Sequence, residues 1–429
     1  MRVVLPYGRA QIEAEIPDAN LMGIAVPRSP INPAIDEAVE VERALHNPIG
    51  SPRLRDLARG RRNATIIVSD HTRPTPSGKL VPPLLEELEA AGIPAANVVV
   101  VFATGSHRPT RLEEMRSIFG EKTCSRVRVL SHECDAQDHV YMGETGINHT
   151  PVWVNRVVAE SDIRISVSTV EPHQGAGWSG GAKNLLPGVC SRETIMRHHA
   201  LYSHPGTCIG AVKGNPFRED LEQAASLVGL DFVVQVILSQ KKQISRVFAG
   251  HWIEAHRDAV RVASDLLNYQ LPEMADIVLA SVGGTPRDSN LWQVEGKGLT
   301  RVGSAVRQGG VIIMVAECCE GVGHLELADA LLRGAPDEIL ERFEGAEFTV
   351  ASNKAYRIAS LQKKAAIYLV TTGLPPGAFG RIPVRLFSQV DEALAAAFAS
   401  VGSAARVVVV PRTPEVLLSV SPMSVASPR

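Results

Sequence analysis

Three short apolar runs constrain this chain more than any other feature. Ala64–Ser69 (ATIIVS), Asn97–Phe102 (NVVVVF) and Asp162–Ser168 (DIRISVS) are rich in β-branched residues and too uniformly apolar to be half exposed. Runs of this kind suit strands covered on both faces, and strands alternating with helices imply parallel βαβ units. The helical pattern Lys79–Ala91, ended by Gly92, falls between the first two runs, and another helix begins near Glu219–Leu227. The same rhythm returns at Asp276–Ser281, Gly310–Ala316, Ala366–Thr371 and Arg406–Val410.

At 429 residues, two domains are the default expectation. Leu271-Pro272 follows a helical pattern over His256–Tyr269 and marks the boundary. The predicted fold is α/β: domains 1–271 and 272–429, each with a mainly parallel sheet, and an active site in the interdomain cleft. The first is expected to anchor a cofactor and the second to close over the substrate. A shorter helical pattern covers Ile35–Leu45, and the last residues, from Pro414 onward, read as loose.

Composition excludes some functions. Hydrophobic residues make up 45% and charged residues 21%, with a net charge of −2, so no electrostatic argument favours nucleic acid or an anionic membrane. No apolar run is long enough to span a bilayer. The opening MRVVLPYGRAQIEAEIP is too polar for a signal peptide and reads as a hairpin around Tyr7-Gly8. The expectation is a cytoplasmic protein whose six cysteines, with no CxxC pair, are free thiols.

In open α/β sheets, ligands bind beyond the carboxyl ends of the strands, and here those ends carry unusual chemistry. After ATIIVS comes Ser69-Asp70-His71-Thr72-Arg73-Pro74, where Pro74 keeps Arg73 out of a helix. Arg73 offers a planar fork for a carboxylate or phosphate, or else makes an internal salt bridge with Asp70. After NVVVVF comes Ala103-Thr104-Gly105-Ser106-His107, a turn that brings His107 to the same edge, as a proton carrier or simply a solvated histidine. After DIRISVS comes the densest string, EPHQGAGWSGGAKN from Glu171 to Asn184, with four glycines between Gly175 and Gly181. Backbone N–H groups around Gly177, Ser179, Gly180 and Gly181, with Lys183, can cradle a phosphorylated guest, although the loop can also be purely structural. The spacing is neither a P-loop nor a dinucleotide fingerprint.

Eight of the thirteen histidines fall between His107 and His204, and His198-His199 sit on a probable helix with one of the two turned inward. Further on, GGTPRDSNLWQ (Gly283–Gln293) again ends a strand in Gly, Pro and polar groups.

Together SDHTRP, ATGSHR, EPHQGAGWSGGAKNLLPG with its later TIMRHH, and GGTPRDSNLWQ resemble the lactate racemase family, in that family's order and from the hairpin to at least Gly323. The resemblance implies a racemase or epimerase of 2-hydroxy acids that uses a nickel-pincer nucleotide (nickel pyridinium-3,5-bisthiocarboxylic acid mononucleotide). It implies that Lys183 holds this cofactor covalently through a thioamide, and that His199, sixteen residues later, ligates nickel. His107 and His173 are implied as acid and base on opposite faces of the substrate, with hydride leaving and returning at C2. Arg73 would grip the substrate carboxylate, with Asp70 beside it and Trp292, Gln293 and Lys297 completing the substrate site. The cofactor-synthesis enzymes are implied as partners.

The sequence leaves the family pattern at one place. Family members place a carboxylate-binding lysine three residues after NLYQ, whereas here NLWQ is followed by Val294-Glu295-Gly296, with Lys297 one place late. On an α-helix that offset turns a side chain by about 100°. Gly296 in the lysine's place predicts a substrate larger than lactate, with Glu295 and Arg287 as partners for its extra oxygens. Two other readings compete: a zinc-dependent hydrolase or dehydratase, and a non-catalytic nucleotide-binding protein.

Overall fold

The computed structural model describes residues 1–27, 31–239, 241–344 and 349–420. Two compact units result: Ser29–Leu266, and Met1–Arg28 together with Leu267–Arg429.

The unit Ser29–Leu266 is built on a six-stranded sheet in the order Ile244–Gly250, Phe232–Leu238, Ile163–Thr169, Ala64–Ser69, Val98–Ala103, Arg128–Ser131. All neighbours are parallel except the first pair, which forms an antiparallel edge. The apolar runs are uniform because each face of the sheet has its own core. Ile66 and Val68 pack on one side with Val100, Ile165 and Val167, while Ile67 packs on the other with Val101 and Val233. Alternation along a strand thus divides one apolar run between two cores. The register pairs Ser69 with Ala103 and Val68 with Val167, so three strands end level. The flanking helices Glu37–His46, Ser77–Ala90 and Pro216–Val228 lie within a few residues of their expected spans.

The other unit carries a fully parallel sheet in the order Arg385–Phe387, Ala365–Val370, Val306–Val315, Ala275–Ser281, Val407–Val410, Leu21–Ile24. Its strands also alternate between two cores, Val278 and Ala280 on one side, Ile277 and Leu279 on the other.

The contiguous division into 1–271 and 272–429 differs from this arrangement in its first 28 residues. The hairpin Arg2–Tyr7 with Ala10–Glu15 buries Val3, Leu5 and Ala14 in the same core as Ile277 and Leu279, and Leu21–Ile24 pairs with Val407–Val410. Pairing between segments so far apart leaves no local signature. The helix expected to reach Tyr269 stops at Leu267, because Asn268–Leu271 forms a strand with Leu417–Val420. That pairing also orders the start of the tail read as loose; its remainder, 421–429, lies outside the described residues. Among the described residues, no helix is long and apolar enough to cross a membrane.

Candidate active site

The level strand ends place Asp70 and His107 side by side. Asp70 Oδ2 meets His107 Nδ1 at 2.6 Å, while its Oδ1 accepts from the Thr72 hydroxyl at 2.8 Å and the Thr72 N–H at 3.3 Å. Burial pushes the Asp70 carboxyl up, but the hydrogen bond and charge of His107, the Arg73 charge and Thr72 more than offset it, bringing Asp70 down to about 2. An ionised carboxylate can only accept, so Nδ1 of His107 carries a proton, and in the neutral ring the lone pair is on Nε2. The side chain of His107 is about half exposed, whereas Asp70 is buried. The alternative of an internal Asp70–Arg73 salt bridge gives way to this pairing. The Arg73 charge lowers both Asp70 and Lys183, favouring the carboxylate and disfavouring the ammonium.

His173 follows the third strand, in a small hairpin that pairs it with Gly177. Its Nδ1 accepts from the backbone N–H groups of Gly175 at 3.2 Å and Ala176 at 3.1 Å. That nitrogen is therefore unprotonated, and the neutral ring carries its proton on Nε2. In their neutral forms His107 and His173 are thus opposite tautomers.

Of the N–H groups expected to cradle an anion at Gly177, Ser179, Gly180 and Gly181, those of Ser179 and Gly181 already bond within the protein. Gly181 N–H donates to the buried Gln235 at 2.7 Å, and Ser179 N–H to the Glu171 carbonyl at 2.8 Å. The Ser179 hydroxyl donates to Thr169 O at 2.7 Å and accepts from Glu171 N–H at 2.8 Å. The glycines are there for space: with φ of +71°, Gly177 passes so near Ala211 that an added Cβ would stand 1.7 Å from its carbonyl oxygen. At Gly181 a Cβ would stand 3.1 Å from the His256 ring.

This packing delivers Lys183 on a 3₁₀ turn, Gly181–Asn184. Burial, reinforced by the charges of Arg73 and Arg218 and opposed by Asp70, brings the Lys183 amine down to about 7. At neutral pH much of it is therefore the free amine.

The two histidines of this helix differ in what holds them. His198 is fully buried and donates from Nδ1 to Asp220 Oδ2 at 2.8 Å, and Asp220 also accepts from Thr145 and Thr150. His199 is partly buried, packs on Tyr202 and Phe217 at 5.2 and 5.4 Å between ring centroids, and has a buried Nδ1 without a hydrogen-bond partner. Burial first, then the charges of His198 and Lys183, holds His199 well below the usual histidine range, so it is a neutral imidazole. His198 Nε2 is likewise buried without a hydrogen-bond partner, so each ring keeps one nitrogen open.

In the other unit, Trp292 stacks on His324 at 4.3 Å, with the Lys354 ammonium 4.7 Å from its ring centre. Gln293 lies in the helical turn Leu291–Val294, capped by Asn290. Beyond it the chain forms a π turn, Glu295–Leu299, closed by a bond from Thr300 N–H to Glu295 O. Lys297 lies within that turn. Glu295 and Arg287 are not available as partners for a hydroxyl-rich substrate. Glu295 is buried against Lys354 at 2.6 Å, Arg357 at 3.0 Å and Thr300 at 2.6 Å, and Arg287 pairs with Glu415 at 3.4 Å.

Sequence reasoning missed Arg218, Gln235 and His256, which bond to the glycine-rich loop from below. It also missed Asp288, which takes the Gly8 N–H at 2.7 Å and ties the N-terminal hairpin to the GGTPRD loop. Among the described residues, no three His, Cys, Asp or Glu side chains gather as a metal site.

Residues 7–210 match the lactate racemase N-terminal domain family, and residues 271–418 the lactate racemase C-terminal domain family. A lactate racemase of Thermoanaerobacterium thermosaccharolyticum is 36% identical over 326 residues, 75% of each chain. One from Lactiplantibacillus plantarum is 33% identical over 418 residues, 95% of this chain and 97% of that one. The solved lactate racemase apoprotein from T. thermosaccharolyticum superposes with a TM-score of 0.91 at 30% identity, covering 98% of this chain and 100% of that one. A Thermotoga maritima protein with a TM-score of 0.64 and 17% identity, covering 87% and 100%, shares the fold alone.

Proposed function

The chain belongs to the lactate racemase family, and from that premise we propose that it is a 2-hydroxy acid racemase or epimerase working with a nickel-pincer nucleotide held covalently at Lys183. The observation that carries this reading is the contrast between two groups near one another. Lys183 offers an amine brought down to about 7, and His199 offers a neutral imidazole with an unpartnered buried nitrogen. A covalent tether needs the first and a metal ligand the second, so these residues fit the group. When bound, the group supplies a reversible acceptor for the hydrogen and electron pair that leave C2.

The remaining work falls to the chain's own side chains. Arg73 holds the substrate carboxylate on its planar fork. His107, with its Nε2 lone pair, takes the hydroxyl proton, and the ionised Asp70 at 2.6 Å stabilises the imidazolium that results. His173 meets an oxygen from the other face as a donor through Nε2–H, because Nδ1 is occupied by Gly175 and Ala176. Two histidines are needed because the two enantiomers present their hydroxyls on opposite sides.

Its partners on this reading are a small 2-hydroxy acid and the cofactor-synthesis enzymes. The same reading places it in the cytoplasm, where its unpaired cysteines remain thiols. Intact-mass and metal analysis of protein made beside the cofactor-synthesis enzymes tests the proposal. The expected result is added mass on the peptide containing Lys183, with nickel; unmodified Lys183 in protein that nonetheless racemises would refute it.

A further inference from the structure

A chain of polar groups, with Arg218 and His256 fully buried, lies beneath the glycine-rich loop, outside every sequence motif. Arg218, on the helix Pro216–Val228, has no exposed side-chain surface. Its guanidinium donates to the carbonyl oxygens of Ala176 at 3.0 Å, Gly180 at 3.4 Å and Trp178. These are alternate carbonyls of the segment that leads to Lys183. Glu222, one helical turn on, lies 3.7 Å from Arg218 and accepts two hydrogen bonds from Arg257 at 2.7 and 2.9 Å. Arg257 also donates to His256 Nδ1 at 3.1 Å, which puts the His256 proton on Nε2, and that proton goes to the Ser179 carbonyl at 3.0 Å.

Glu222 is shared with Arg257, whose side chain is 38% exposed, so the fully buried Arg218 is only partly neutralised. A buried charge is costly, and carbonyl oxygens could be tied by neutral donors. Gln235, a neutral amide, already ties the loop at Gly181 N–H. The guanidinium is therefore read as serving through its charge as well as its hydrogen bonds. Other charged or titratable groups also act on Lys183: Asp70 and Arg73 from the loop after Ala64–Ser69, and His198 and His199 from the helix Arg192–His199. Of these only Asp70 favours the ammonium, and it is already bonded to His107 and Thr72.

We propose that Arg218 is a positioning residue: it holds the loop that bears Lys183 by three carbonyl oxygens and sets a buried positive charge beneath it. The biological meaning rests on Lys183 being the attachment point, but the test does not. The full chain is made without the cofactor-synthesis enzymes and labelled with acetic anhydride across a pH series. Acetylation is then read by mass spectrometry on the peptide spanning Lys183.

Removing a neighbouring positive charge favours the ammonium, so Arg218→Ala should move the labelling midpoint up by about one pH unit, a roughly tenfold slower reaction at pH 6. Added guanidinium should move it back, and urea, similar in shape but neutral, should not. Glu222→Gln removes the shared counter-charge and should move the midpoint down. Opposite signs are the signature of a charge effect, because simple loosening of the loop would move both variants the same way. An unmoved midpoint in Arg218→Ala, shifts of one sign in both variants, or rescue by urea overturns the proposal. Should Arg218→Ala fail to fold by circular dichroism, Glu222→Gln decides: a downward shift supports the proposal and any other result overturns it.

Discussion

Asp70 and His107 are bonded at 2.6 Å across two neighbouring strand ends, carboxylate to Nδ1, so each sets the protonation of the other. Asp70→Asn keeps the shape but allows the imidazole to carry its proton on Nε2, where a base needs a lone pair. We expect kcat to fall about a hundredfold or more. The same change alters stability with a defined sign. The folded carboxyl sits at about 2, below its ordinary value of 3.8, so Asp70 contributes stability above that ordinary value and loses it as pH falls through about 2. Denaturant unfolding should find Asp70→Asn less stable by about 2 kcal/mol at pH 7, with the gap closing as pH falls toward 2. A gap that widens in acid would contradict the assignment.

His198 and His199 are adjacent but should fail differently when removed. His198→Ala strips the partner from Asp220 in a pair with no exposed surface, which should destabilise the protein by about 3 kcal/mol. Once folded, it should still bind nickel. His199→Ala leaves no buried charge behind and should cost less stability, yet lose the metal. Thermal unfolding beside metal analysis separates the two, and nickel lost only from His198→Ala would exchange their roles.

His173 makes a spectroscopic prediction. With Nδ1 accepting from Gly175 and Ala176, its ¹⁵N spectrum at neutral pH should show an unprotonated Nδ1 and a protonated Nε2. His107 should show the reverse. Before His173 can take a proton from a hydroxyl, its tautomer has to change, so first-turnover rates from the two enantiomers should be unequal. Equal first-turnover rates together with a protonated Nδ1 on His173 would remove the basis of this argument.

The parts of the fold and site legible in the sequence were those with local causes. A run such as NVVVVF is buried on both faces whatever its neighbours, and the strand's end throws the next polar residues, among them His107, to one edge. Lys183 was conspicuous for following so many glycines. What those glycines do was not legible, because the atoms they avoid, the Ala211 carbonyl and the His256 ring, lie 30 or more residues away. Arg218 sits in PFREDLEQAASLV, where nothing in the pattern distinguishes a buried arginine from a surface one. The pairing of Leu21–Ile24 with Val407–Val410 likewise joins segments with no intervening signal.

The last prediction concerns the substrate, and the structure changes its premise. The expectation of an acid larger than lactate rested on Gly296 standing where the family has a lysine, with Lys297 rotated away by its one-residue offset. That rotation assumes an α-helix. The chain instead forms a π turn over Glu295–Leu299, closed by the bond from Thr300 N–H to Glu295 O, which spans five residues rather than four. A π turn takes up one extra residue, so it returns Lys297 toward the face that a lysine at the shorter spacing would occupy. We therefore expect Lys297 to be the carboxylate-binding group of this segment, with Gly296 opening no new space. Lys297→Met should raise KM for a 2-hydroxy acid about tenfold or more, as expected for a lost charge-assisted hydrogen bond, with a smaller effect on kcat. Deleting Gly296 should restore the family spacing and straighten the turn with Lys297 still in place, leaving KM within about threefold of the parent, a change of roughly 0.7 kcal/mol. A panel of enantiopure 2-hydroxy acids, deuterated at C2 to follow hydrogen retention, completes the test. Lactate should rank with the best substrates by kcat/KM. If Lys297→Met leaves KM unchanged and longer acids outrank lactate, the enlarged pocket is the correct reading and the π turn has not restored the lysine.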